Sequence, residues 1–149
     1  MTTALTARTH ARAGAWQGPA LDRLVLDYEG RFVRRKRLTT DGGRPVMVDL
    51  AETVSLDPGD ALITEAGPVV IAAAPEALLR VTGDLPRLAW HVGNRHTPCQ
   101  IAPDCLVIRA DHVLERMLRG LGAEVAAFDG PFAPEGGAYG HGRTHGHSH

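Results

Sequence analysis

The chain has 149 residues, 44% of them hydrophobic and only 5% aromatic, with a formal net charge of −1. That length allows one ordinary domain or two small ones, and the near-zero charge removes any global drive toward nucleic acid. Two cysteines, Cys99 and Cys105, are too few for a disulfide framework and lack the paired spacing of a zinc site. No apolar run reaches the length of a membrane span and no secretory-type apolar core is present, so a cytoplasmic location away from membranes is expected.

Residues 1–18 are rich in Thr, Ala and Arg and carry no acid. They read as a disordered leader rather than a transit peptide. Residues 23–28 then have the pattern of a strand, and Glu29-Gly30 turns the chain into a second, very basic strand over residues 31–38. Asp41-Gly42-Gly43 is hairpin punctuation, and residues 44–50 pair back. A second turn cluster, Ser55-Leu56-Asp57-Pro58-Gly59-Asp60, precedes short strands over 61–65 and 69–73. Close turn signals without helical periodicity predict a small β-sandwich or β-barrel over residues 19–74. Its basic strand is either a patch for an acidic partner protein or an edge strand whose charges block edge-to-edge association.

The pattern changes at Pro75. Residues 76–82 read as a strand. Asp84 caps a helix with Pro86 in its first turn, and Leu85, Leu88, Ala89 and Val92 fall on one face. Gly93-Asn94 is expected to end that helix with left-handed geometry. Strands over 97–101 and 105–109 follow, joined by Pro103-Asp104. Asp111 opens a second helix with Val113, Leu114, Met117, Leu118 and Leu121 on its apolar face, and residues 124–128 form a last strand. The order β-α-β-β-α-β over residues 75–134 is the ferredoxin-like arrangement, making the whole an α+β protein. Residues 135–149 form a His-rich tail with nothing to bury beyond Tyr139, expected to be flexible without metal.

The chemistry lies in the histidines, because neutral imidazole is a ligand for nickel, copper and zinc. His91 and His96 are five residues apart, about 140° around a helix, so they do not chelate one ion from a continuous helix. A single His96 is a weak site, whereas two copies facing across a twofold axis would make a real one. His112, at the start of the second helix, is a surface histidine or a secondary ligand. In the tail, His145, His147 and His149 alternate with small residues and His141 is close by, which suits one ion wrapped by several imidazoles better than the uninterrupted run of a purification tag.

Trp90-His91-Val92-Gly93-Asn94-Arg95-His96 resembles the His-(Leu/Val)-Gly-Asn-Arg-His signature of the UreE family of urease accessory proteins. The likeness extends to Asp41-Gly42, to Gly59-Asp60-Ala61-Leu62, to Asp111-His112-Val113-Leu114 with Met117-Leu118 and Gly122, to Phe132 through Tyr139, and to the His-rich end. The resemblance implies an N-terminal domain like a chaperone's peptide-binding module and a ferredoxin-like metal-binding domain. It also implies a homodimer joined through the C-terminal domains, nickel as cargo, and His96 as the interface ligand given once by each subunit. Zn2+ or Cu2+ would bind the same imidazoles. Delivery would run to apo-urease through the accessory GTPase UreG with UreF and UreD/UreH. Some members carry another histidine two residues before the one matching His112. Here that residue is Ala110, which makes His112 secondary.

An enzyme is not expected, since no nucleophile elbow, phosphate loop or His-Glu-x-x-His motif occurs. Two other readings stay open: a general zinc, copper or nickel buffer resting on the tail, and an adaptor that binds proteins and holds metal incidentally.

Overall fold

Alternation of apolar and polar residues, which sends successive side chains to opposite faces of a strand, builds the first half of the chain. The computed structural model describes residues 4–136. Contacts divide the chain into two compact units, Met1–Ala74 and Pro75–His149. The first holds β1 (Leu5–Ala11), β2 (Asp22–Leu26), β3 (Phe32–Thr39), β4 (Pro45–Ser55), β5 (Ala61–Thr64) and β6 (Gly67–Ala73). They form one sheet in the order β2-β6-β5-β1-β4-β3. β1 runs parallel to β4 and β2 parallel to β6, while the other pairs are antiparallel. Leu24 near one edge, Val33 near the other, and Ala7, Val48, Leu62 and Ile71 between them share one buried cluster. A single sheet whose two edges share a core must curl, and that is the form the expected sandwich or barrel takes.

The leader is a correction. Leu5–Ala11 is a strand hydrogen-bonded on both sides, with Leu5 opposite Val46 and Ala7 opposite Thr64. Ala7 has 0% of its surface exposed. An Ala-rich, acid-poor segment looks leader-like because its partners lie far along the chain, and only small side chains fit at that crowded centre. The residues after β1 are also pinned. The buried Asp60 carboxylate accepts from Arg12 at 2.7 Å, from the Ala13 amide at 2.9 Å and from the Asp57 amide at 2.8 Å. Trp16 donates its indole N–H to the Gly59 carbonyl at 3.0 Å.

The basic stretch divides in two. Arg31 is only 1% exposed. It donates to the carbonyls of Leu56 at 3.1 Å and Leu26 at 3.2 Å, and its guanidinium lies over the Tyr28 ring at 5.9 Å. It therefore serves the core. Residues 34–37 are all exposed on the edge strand β3, where only β4 pairs with them, and Arg35 reaches Asp49 at 3.1 Å.

The second unit runs β7 (Glu76–Thr82), α1 (Leu85–Asn94), β8 (Gln100–Ile101), β9 (Leu106–Arg109), α2 (His112–Gly120) and β10 (Glu124–Gly130). Its sheet has the order β10-β7-β9-β8 with every neighbouring pair antiparallel, the ferredoxin-like order. Leu88 and Val92 of α1 and Leu118 of α2 pack with Leu79, Val81, Leu106 and Ile108. Each such side chain contributes about 1.5–3 kcal/mol when fully buried. Two residues assigned to the apolar face of α2 lie outside this core, since Val113 and Leu121 are exposed.

Deleting residues 1–11 should abolish the cooperative unfolding of the first unit, followed by circular dichroism in urea, because β4 and β5 would lose their shared neighbour. Replacing Arg31 with Met, which strands the Leu56 carbonyl and leaves that of Leu26 with only the Ala74 amide, should cost about 1–3 kcal/mol. Arg34→Ala should stay within about 0.5 kcal/mol of the parent.

Candidate metal site

Asp84 caps α1, and Pro98 helps end it. The Asp84 side chain accepts from the Arg87 amide. A residue preceding proline avoids the helical region, so Thr97 cannot continue the helix. The helix nevertheless runs through Gly93 and Asn94, and Arg95 is its terminal cap. The expected left-handed turn at Gly93-Asn94 thus comes two residues later, at His96. With φ of 54°, His96 is the one non-glycine residue of positive φ among those described. The amide of His96 donates to the Gly93 carbonyl at 3.0 Å, and that of Thr97 to the Val92 carbonyl at 3.5 Å. These bonds make the Schellman ending, which normally places glycine where His96 stands. A side chain there costs on the order of 1–2 kcal/mol. Strain retained at one exposed histidine is a pointer to function.

The turn is braced from the side. Arg95 donates its Nε–H to the Met117 sulfur on α2 at 2.7 Å. This contact had no signal in the sequence beyond the Arg of Gly-Asn-Arg-His. His91, one turn earlier and half-buried, packs edge-on against Trp90 with ring centroids 5.0 Å apart. Trp90 itself is 64% exposed.

At the other helix, Asp111 accepts from the amides of Val113 at 2.8 Å and Leu114 at 3.0 Å. The Leu114 bond is the main reason its carboxyl lies below the usual carboxylate range. Because the folded value is depressed, this cap contributes fully above the ordinary carboxylate range and is lost as pH falls through the depressed value. His112 is the first residue of α2 and is exposed. Ala110, where some relatives of the resembled family have histidine, donates its amide to the Ala77 carbonyl at 3.0 Å.

Strand register shows which of these residues meet. Leu78 pairs with Arg109, Gln100 with Val107 and Gly130 with Glu76. The starts of β7 and β8 and the ends of β9 and β10 therefore lie at one end of the sheet. α1 arrives at that end and α2 leaves from it. His96, His112 and the exit toward the C-terminus consequently share it. Among the described residues, no group of three or more His, Cys, Asp or Glu is placed to hold a metal ion. His141, His145, His147 and His149 lie outside the described residues.

Cys99 is at the same end, three residues beyond His96. Burial, its main influence, pushes the thiol up to about 11. None of the helices in the described residues is long and apolar enough to cross a membrane.

His96→Gly should raise stability by about 1 kcal/mol, because glycine takes the left-handed position without strain. His96→Ala should leave stability nearly unchanged, since alanine inherits the strain. Denaturant midpoints of the two variants check this.

Two family models together match the whole chain. Residues 1–74 match the UreE urease accessory protein N-terminal domain, and residues 71–149 match the C-terminal domain. The urease accessory protein UreE of Cereibacter sphaeroides is 56% identical over 150 residues, covering 100% of this chain and 82% of that protein. UreE of Rhodobacter capsulatus is 59% identical over 138 residues, 92% of this chain and 88% of that protein. UreE of Paracoccus denitrificans is 60% identical over 128 residues, 85% of this chain and 82% of that protein.

Proposed function

The chain belongs to the UreE family of urease accessory proteins, and on that premise we propose that it is a cytoplasmic nickel metallochaperone that delivers Ni2+ to apo-urease during urease maturation. The observation that carries the reading is the seat of His96: exposed, and held at a strained helix ending that glycine would fill better.

The proposed site is an ion shared between His96 of two copies in a homodimer joined through the C-terminal units. His141, His145, His147 and His149 complete or buffer the shell, and His112 is a secondary donor from the same end of the domain. Imidazole nitrogens suit nickel, and also Zn2+ and Cu2+, so the donors alone do not select the metal. An open, incomplete shell suits delivery. The receiving protein replaces ligands one at a time, and nothing has to unfold first. The chain's role is to hold and release the ion and not to catalyse a reaction. The partners are the GTPase UreG, UreF and UreD/UreH, with the curled N-terminal sheet as the module for a partner's peptide.

Nickel calorimetry tests the site. His96→Ala should abolish the tightest site while the dimer persists in sedimentation, and an unchanged tight site would sink the assignment. A chain ended before His141 should keep one ion per dimer. Loss of all binding on that truncation would support a tail-based buffer instead. Affinity in either chain should fall as pH drops through the ordinary imidazole range near 6.5, because imidazolium is no ligand.

A further inference from the structure

We propose that residues 131–136 form a strap that roots the histidine tail beside His96, and that Gln100 is the positioning residue fastening it. The proposal rests on the reading of His96 and the tail as nickel ligands. β10 ends at Gly130 opposite Glu76, and β10 and β8 are the two opposite edges of the sheet. A chain leaving β10 freely would depart from the β10 edge. Here it crosses to the other one. Phe132 is 0% exposed. The Ala133 amide donates to the Gln100 side-chain oxygen at 3.0 Å, and the Glu135 amide to the Cys99 carbonyl at 2.9 Å. The crossing spans three strand spacings, about 14 Å, along the end of the sheet where His96 and His112 lie.

The consequence is one of reach. Cys99 is three residues from His96, so their Cα atoms lie within about 11 Å. His141 is six positions beyond Glu135, enough to span up to about 20 Å. Even the first tail histidine can therefore meet an ion on His96. Without the strap, the last fixed residue would be Gly130, eleven residues before His141 and at the far edge. Effective concentration falls as about the −3/2 power of the tether, so docking is worth two- to threefold in the tail's share of nickel affinity. Linkage is reciprocal: nickel must tighten the strap by the same factor.

The test uses the full chain and nickel chloride, with calorimetry and hydrogen exchange at the Glu135 amide. Gln100→Leu removes one of the strap's anchors, with Phe132 and the Glu135–Cys99 bond remaining, and should weaken the tightest nickel site by up to two- to threefold. Gln100→Glu, whose carboxylate accepts the same Ala133 N–H, should restore it. In a chain ended before His141, Gln100→Leu should have no effect on nickel. Nickel should slow Glu135 exchange two- to threefold in the full chain and not in the shortened one. If Gln100→Leu weakens both chains equally, Gln100 only braces the His96 loop and the proposal falls. It falls also if nickel leaves Glu135 exchange unchanged. If shortening the tail changes nothing, the strap has no metal role, while the His96 assignment, tested by His96→Ala, stands apart.

Discussion

The carbonyls of Val92 and Gly93 capture the amides of Thr97 and His96, and the arrangement of the His96 end of the second unit follows from those two bonds. They close α1 against Pro98, force the residue between Arg95 and Thr97 into left-handed geometry, and turn the chain toward β8. A glycine would do this without strain. Placing a histidine there binds the shape of the turn to the presentation of the imidazole. Arg95 reaches across to Met117 and ties the turn to α2, the element that begins with His112.

The ferredoxin-like topology does the rest by parity. In a βαββαβ chain with an antiparallel sheet, the end of the first helix, the start of the second and the end of the last strand fall at one end of the domain. Residues separated by tens of positions are gathered at that end. Residues 131–136 then carry the chain along that end, from the β10 edge to Cys99 and Gln100.

The first unit shows a different economy. Its strand β1 is inserted between β5 and β4, whose sequences follow much later, and runs parallel to β4. Asp60, nearly buried, gathers Arg12 and the amides of Ala13 and Asp57, so that the turn before β5 and the chain after β1 are locked as one. Arg31 is likewise buried, its guanidinium donating to the Leu56 and Leu26 carbonyls, while residues 34–37 of the edge strand β3 stay exposed.

Local signals in the sequence were sufficient for much of this. Asp84 and Asp111 announce the helix starts through their capping oxygens, Asp41-Gly42-Gly43 marks a hairpin, and apolar periodicity orders the second unit. Gly-Asn-Arg-His with the histidine tail identifies the family and the imidazole chemistry. These features are readable because each depends on residues within a turn or two of one another. Other features were settled only by tertiary structure. The strand Leu5–Ala11 looks like a leader until residues 41 to 57 positions away supply its ladder. Val113 and Leu121 share the helical spacing of the core face, yet the sheet leaves them exposed. The left-handed position moved from Gly93-Asn94 to His96 because backbone carbonyls and Pro98, not residue preference, decided where the helix could close. Pairing partners, burial and the last hydrogen bond of a helix are non-local or collective quantities, and the folded chain alone sets them.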